Sequence, residues 1–61
     1  MNLLRPIEIL QRNPQIKKNW GTYDIGQLLH LGLISGKKLS RGCIVDEDDV
    51  LHYFALVKKK G

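Results

Sequence analysis

The fold is decided by residues 22–34, which read TYDIGQLLHLGLI. Three apolar residues in this stretch have the i, i+3, i+4 spacing that forms one face of a helix: Ile25, Leu28 and Leu29. Thr22 is of a type that caps helix N-termini, and Gly32 is of the type that ends helices. We therefore predict an amphipathic helix over Tyr23–Leu31, with Leu33 and Ile34 folded beneath its end.

Two shorter helical segments are predicted before this helix. Pro6 suits a first helical turn, and an apolar side follows through about Gln11: Ile7, Ile9 and Leu10. Asn13 and Pro14 then repeat a cap-and-proline start, which favours a helical turn to about Lys18. The alternative is an irregular turn that carries Ile16 and Trp20 inward.

A short β-hairpin is predicted after the central helix. Its strands are Lys37–Leu39 and Cys43–Val45, joined by a turn at residues 40–42 that contains Gly42. Two strands alone are not stable in water, so the hairpin must lean on the helices. Leu39, Cys43 and Val45 are the expected inward residues.

A last helix is predicted from Asp46 onward. Asp46 is a good N-cap, and Asp49 stands where a capping-box acid would stand. The helix has an apolar stripe formed by Val50, Leu51, Phe54 and Val57, and it ends in Lys58, Lys59 and Lys60, which suit the negative end of the helix dipole. These three lysines are either a solvated helix end or an arm that contacts DNA. The predicted fold is mainly α with a short β-hairpin, in one domain over residues 1–61.

The charge balance favours a polyanionic partner. The chain has 10 Lys and Arg against 6 Asp and Glu, a formal net charge of +4. Four of the six acids are clustered at residues 46–49, so that only Glu8 and Asp24 are acidic elsewhere. Most of the chain surface is therefore expected to be strongly basic.

The stretch at residues 22–34 resembles the recognition helix and Gly-Leu-Leu exit of excisionase and MerR-like proteins. The segments Gly36–Lys38, Arg41–Val45 and Asp46–Val50 are similar to the wing of that family and to its step into the next helix. The resemblance covers about residues 21–54 and implies a winged helix-turn-helix that binds double-stranded DNA. It places the central helix in the major groove and the hairpin on the neighbouring backbone or minor groove.

The resemblance and the chemistry of the side chains together give a set of expected DNA contacts. Gln can pair with adenine edges, hydroxyl groups reach bases or phosphates, and Lys and Arg neutralise phosphates. The expected contact residues are Lys17, Lys18, Thr22, Tyr23, Gln27, His30, Lys37, Lys38 and Arg41. The cations of the hairpin have an alternative explanation, as the charged edge that keeps a hairpin soluble.

Other classes of function have little support in the sequence. No triad of nucleophile, base and acid and no phosphate-binding glycine loop is present, so we do not expect an enzyme. His30, His52 and the lone Cys43 have no ligand partners at metal spacing, so no cofactor or metal is expected. Trp20 is interpreted as core rather than as a base-stacking platform. No apolar run is long enough to span a membrane, and we expect a cytoplasmic protein.

Several biological roles fit a small module of this kind. The leading hypothesis is an excisionase-like recombination directionality factor or a small transcriptional regulator, acting beside an integrase or further copies of itself. The main alternative is a protein-interaction module of the same fold that docks a partner through Leu31 and Ile44. A third is that the chain is the amino-terminal DNA reader of a longer regulator.

Overall fold

The computed structural model describes residues 2–60, with side chains for residues 2–58. It contains four helices and a three-stranded antiparallel sheet within that range, so the fold is mixed α and β. The elements in chain order are β1 (Leu3–Leu4), α1 (Pro6–Arg12), α2 (Pro14–Lys17), α3 (Thr22–His30), β2 (Gly36–Lys38), β3 (Cys43–Asp46) and α4 (Glu47–Lys60). The side chains of Lys59 and Lys60, predicted to end the last helix, lie outside the described part.

The predicted helices are confirmed, with corrections at their starts. Gly21, not Thr22, is the N-cap of α3, and its N–H donates to the Asp24 carboxylate at 2.7 Å. Asn13 does not cap α2 with its side chain. Its amide instead donates to the carbonyl of Ile9 and to the carboxylate of Glu47.

Glycine ends α3 as predicted. Gly32 has φ of 76°, a region that residues with a Cβ rarely adopt. Its N–H donates to the carbonyl of Leu29, and the N–H of Leu33 donates to that of Leu28. These two bonds form a Schellman motif. They direct the chain back so that Ile34 is buried, whereas Leu33 stays 47% exposed, contrary to the prediction.

The sheet has one strand more than the sequence indicates, in the order β1-β3-β2. Leu3 and Leu4 pair with Asp46 and Val45, so that β3 is the central strand. In the hairpin Lys37 pairs with Ile44 and Lys38 with Cys43. Leu39 follows β2 and is 43% exposed, so its predicted inward position is wrong.

The core lies between the sheet and the four helices. Its buried apolar residues are Ile9, Leu10, Ile16, Ile25, Ile34, Val45, Val50 and Phe54. Trp20, interpreted from the sequence as core, is only partly buried against it, as are Leu28 and Leu29 from the predicted apolar face of the central helix. Two residues of predicted apolar stripes are exposed, Ile7 at 47% and Val57 at 44%, because the first turn of α1 and the last turns of α4 extend past the core.

The predicted capping box of α4 is half correct. Asp46 caps the helix by accepting the N–H of Asp48 at 3.2 Å. Asp49 accepts the N–H of Ser35 at 2.9 Å instead of turning back to Asp46. The N–H of Asp46 donates to the carbonyl of Ser35, so the loop before β2 occupies the place that a capping box would need.

Glu47 joins the N-terminal part of the chain to the start of α4. It is buried, and its carboxylate accepts the amides of Asn2 and Asn13 and lies 3.4 Å from Nε of Arg12. A buried carboxylate is stable only when its oxygens are paired in this way. Glu47 thus ties β1 and the α1–α2 junction to the start of α4.

Candidate nucleic-acid interface

The outer face of α3 is at least partly open to solvent in the described structure. Ile25 on the opposite face is fully buried, whereas Tyr23 is 74% exposed. The predicted one-turn neighbours Tyr23 and Gln27 are in contact, and the Gln27 amide donates to the Tyr23 hydroxyl. The amphipathic spacing therefore predicted correctly which side of this helix is free.

A shallow groove runs between α3 and β2. Its lining residues, which define the polar groove, are Tyr23, Gly26, Gln27, His30 and Lys38. Lys38 pairs with Cys43 on the side of the sheet that faces the helices, and its Nζ lies 3.4 Å from Nδ1 of His30. Four of the sequence-predicted contact residues are thus brought together.

A second groove lies beside the N-terminal end of α3. This arginine groove is lined by Arg5, Pro6, Ile7, Thr22, Tyr23, Gly26, Arg41, Gly42 and Cys43. Tyr23 and Gly26 line both grooves, so the two form one continuous surface. Gly42, with φ of 85°, allows the tight loop that carries Arg41 to the edge of this surface.

Three predicted contact residues line neither groove. Lys17 and Lys18 are exposed at the end of α2. Lys37 is exposed on the other side of the hairpin from Lys38, because adjacent strand residues point to opposite faces.

Sequence reasoning missed the contribution of the start of α1. Arg5, Pro6 and Ile7 line the arginine groove although they are 15 or more positions before Thr22. The one local signal is the exposed cation directly before a helix-starting proline. The place of Arg5 beside α3 depends on how α1 packs, and no local sequence pattern predicts that packing.

Comparisons with protein-family models, curated proteins and solved structures find no match.

The acidic residues are kept out of both grooves. Neither groove has an acidic lining residue within the described chain. Asp24 is bonded to the N–H of Gly21, and Asp46 and Glu47 are buried. Hydrogen bonds from the side chain and the N–H of Ser35 lower the pKa of Asp49 from its ordinary value of 3.8. Most of the acids therefore make bonds within the fold, and the charged side chains that line the grooves are the cations Arg5, Lys38 and Arg41.

The structure also bears on metal binding and on membranes. No group of three His, Cys, Asp or Glu within residues 2–60 is placed to hold a metal ion. None of the helices in this range has the length and apolarity needed to cross a bilayer.

Proposed function

We propose that the chain binds double-stranded DNA as a winged helix-turn-helix, without catalysis. In this proposal α3 enters the major groove, and the β2–β3 hairpin is the wing beside it. The observation that carries the proposal is the continuous surface of the two grooves. Among the described residues, this surface combines an exposed face of α3, polar side chains of types that can contact bases, three cations from outside α3 and no acidic lining residue.

The pairing of Gln27 with Tyr23 suits base recognition. Donation to the Tyr23 hydroxyl uses one N–H of the Gln27 amide and leaves the other N–H and the carbonyl oxygen free. One donor and one acceptor are what a bidentate contact to adenine requires. Tyr23 therefore restricts the orientation of Gln27 without occupying the atoms that would read a base.

The cations around the grooves are proposed to contact phosphates. Arg41 on the wing and Arg5 before α1 lie on two sides of the arginine groove, where a DNA backbone would pass. Lys38 borders the polar groove, and Thr22 offers its hydroxyl at the start of α3. The three predicted contact residues outside the grooves are proposed as flanking phosphate contacts: Lys17, Lys18 and Lys37.

The biological role proposed is an excisionase-like directionality factor or a small transcriptional regulator. The molecule measures 34 × 22 × 21 Å, so one copy covers about one helical turn of DNA, which is roughly 34–36 Å long. One recognition helix gives limited affinity. An integrase or further copies of the chain on adjacent turns are the partners that would supply the rest.

Selection from a randomised duplex library tests the proposal and yields the preferred site. Gln27→Ala should weaken binding to that site by about tenfold or more, because a bidentate contact is worth roughly 1–3 kcal/mol. Binding to a scrambled duplex at the same salt should stay nearly constant. Gln11→Ala is the matched control, since Gln11 is exposed on α1 and lines neither groove. Failure to enrich any site, with no duplex binding at low salt, would refute the proposal.

A protein-interaction module is the second candidate. Leu31, directly after α3, is 66% exposed, so its side chain is available to a protein partner. Ile44 is only half-buried, on the side of the sheet that carries Lys37. A protein partner whose binding is lost in Leu31→Asp or Ile44→Asp, with no effect of Gln27→Ala on any duplex, would favour this candidate.

A further inference from the structure

Gly26 lies in the middle of α3, where a glycine is costly. Glycine is less favourable in a helix interior than any residue except proline, because its backbone loses the most freedom there. A folded protein keeps a glycine at such a position when the backbone needs positive φ or when a neighbour leaves no room for a Cβ. Gly26 is not among the positive-φ residues, and a Cβ built on it meets no atom within 4 Å.

Other glycines of the chain have a reason within the fold. Gly32 has φ of 76° at the end of α3. A Cβ on Gly36 would lie 2.4 Å from the carbonyl oxygen of Ile44. The position of Gly26 is therefore explained by neither of the constraints that the fold imposes elsewhere.

The location of Gly26 points to a constraint from outside the chain. It lines both grooves, at the place where they join. Tyr23 and His30 precede and follow it by about one helical turn on the same face. A ligand that contacts both of these side chains must pass over the bare backbone at residue 26.

We propose that Gly26 is the point of closest approach between α3 and the DNA. The missing side chain lets the helix sink into the major groove until Tyr23, Gln27 and His30 reach base edges. Glycine serves close approach of a backbone to a ligand in this way at many binding sites. This inference rests on the proposed function and adds a steric requirement that base-reading residues alone do not imply.

Substitutions at this position should move stability and affinity in opposite directions. Gly26→Ala should raise the melting midpoint by about 4–8 °C, the shift expected for a better helix former in so small a domain. It should also weaken binding to the selected duplex about tenfold, and Gly26→Leu should weaken it about a hundredfold. Loss of helicity cannot explain such a pattern, because both replacements favour the helix.

Ala55→Leu is the matched control. Ala55 is exposed on α4 and lines neither groove, so enlarging it adds a side chain to a helix surface away from the DNA. Its affinity for the selected duplex should equal that of the unchanged protein.

Two results would overturn the inference while leaving the proposed function intact. One is that Gly26→Ala and Gly26→Leu bind the selected duplex as tightly as the unchanged protein does, although Gln27→Ala binds it weakly. The other is a lower melting midpoint for Gly26→Ala, which would mean that the fold itself needs the glycine. Absence of duplex binding by the unchanged protein would instead overturn the proposed function, and this inference with it.

Discussion

At Gly36 the chain passes so close to the neighbouring strand and to α3 that a side chain has no room. A Cβ at this position would lie 2.4 Å from the Ile44 carbonyl oxygen, 2.9 Å from Cα of Val45 and 3.1 Å from Cδ1 of Leu29. Two of these atoms belong to the backbone of β3, which cannot move without breaking the pairing of the sheet. Gly36 thus fixes how closely the hairpin approaches α3.

Gly36→Ala should destabilise the fold by about 1–3 kcal/mol, the usual cost of forcing an extra carbon into a packed site. Urea denaturation followed by circular dichroism would measure it. Gly26→Ala is the comparison, because the same added methyl group meets no atom there. Equal stability of the Gly36 variant and the unchanged protein would show that β2 does not lie as close to β3 as described.

At the scale of elements, α4 is held to the rest of the fold at both its start and its middle. Asp49 in its first turn bonds Ser35 before β2. Further along, the ring of Phe54 packs edge-on against that of Trp20, with centroids 4.9 Å apart. The Asp49 contact is electrostatic and should respond to pH, whereas the Phe54 contact is apolar and should respond to truncation of the side chain.

The contact of Asp49 should make stability depend on pH in the acid range. Its pKa is lowered in the folded state by the hydrogen bonds from the side chain and N–H of Ser35. The resulting stabilisation is full above the ordinary pKa of 3.8 and is lost as pH falls through the lower folded value. Thermal melts from neutral pH to below pH 3.8 would follow the loss. Asp49→Asn should reduce the loss of thermal stability at acid pH. An unchanged loss in this variant would argue against the contact.

Phe54→Ala should cost about 3–5 kcal/mol, which approaches the whole stability of a domain this small. Phe54 is 9% exposed and belongs to the core. The variant should be largely unfolded by circular dichroism. Val57→Ala is the control one turn later, because Val57 is 44% exposed and should cost less than about 1 kcal/mol. A sharp, native-like melt for Phe54→Ala would contradict the described packing of α4.

Local patterns predicted the helices and the hairpin but missed β1. The helices have caps, prolines and apolar spacing that act within a few residues. Leu3 and Leu4 form a strand only because β3, more than 40 residues later, pairs with them. For the same reason the predicted site did not include Arg5, Pro6 and Ile7. Their place beside α3 results from packing between elements.

At the scale of the whole molecule, the separation of charge matters more than its sum. The net charge is +4, yet several of the acids are buried or bonded within the fold. The grooves are bordered by Arg5, Lys38 and Arg41. Among the described residues, the side proposed to meet DNA is therefore lined by three cations and by no acid.

The affinity for DNA should fall steeply with salt. If about four to six phosphates are neutralised, log affinity should fall against log salt concentration with a slope of roughly −4 to −5. Arg41→Ala should weaken binding to all duplexes alike and reduce the slope by about 1. Fluorescence anisotropy over a salt series would measure both quantities. An unchanged slope for this variant would show that Arg41 does not contact a phosphate.

The buried carboxylate of Glu47 has a consequence for how the chain folds during synthesis. Its partners Asn2 and Asn13 precede it by 45 and 34 residues. Helices form within about a microsecond, whereas a ribosome adds roughly 5–20 residues per second. Segments as short as α1, α2 and α3 are marginal helices on their own in water, so they wait for seconds, with their apolar residues exposed, until β3 and Glu47 have been synthesised. We therefore expect the core to form in one late step, after Glu47 has joined the chain.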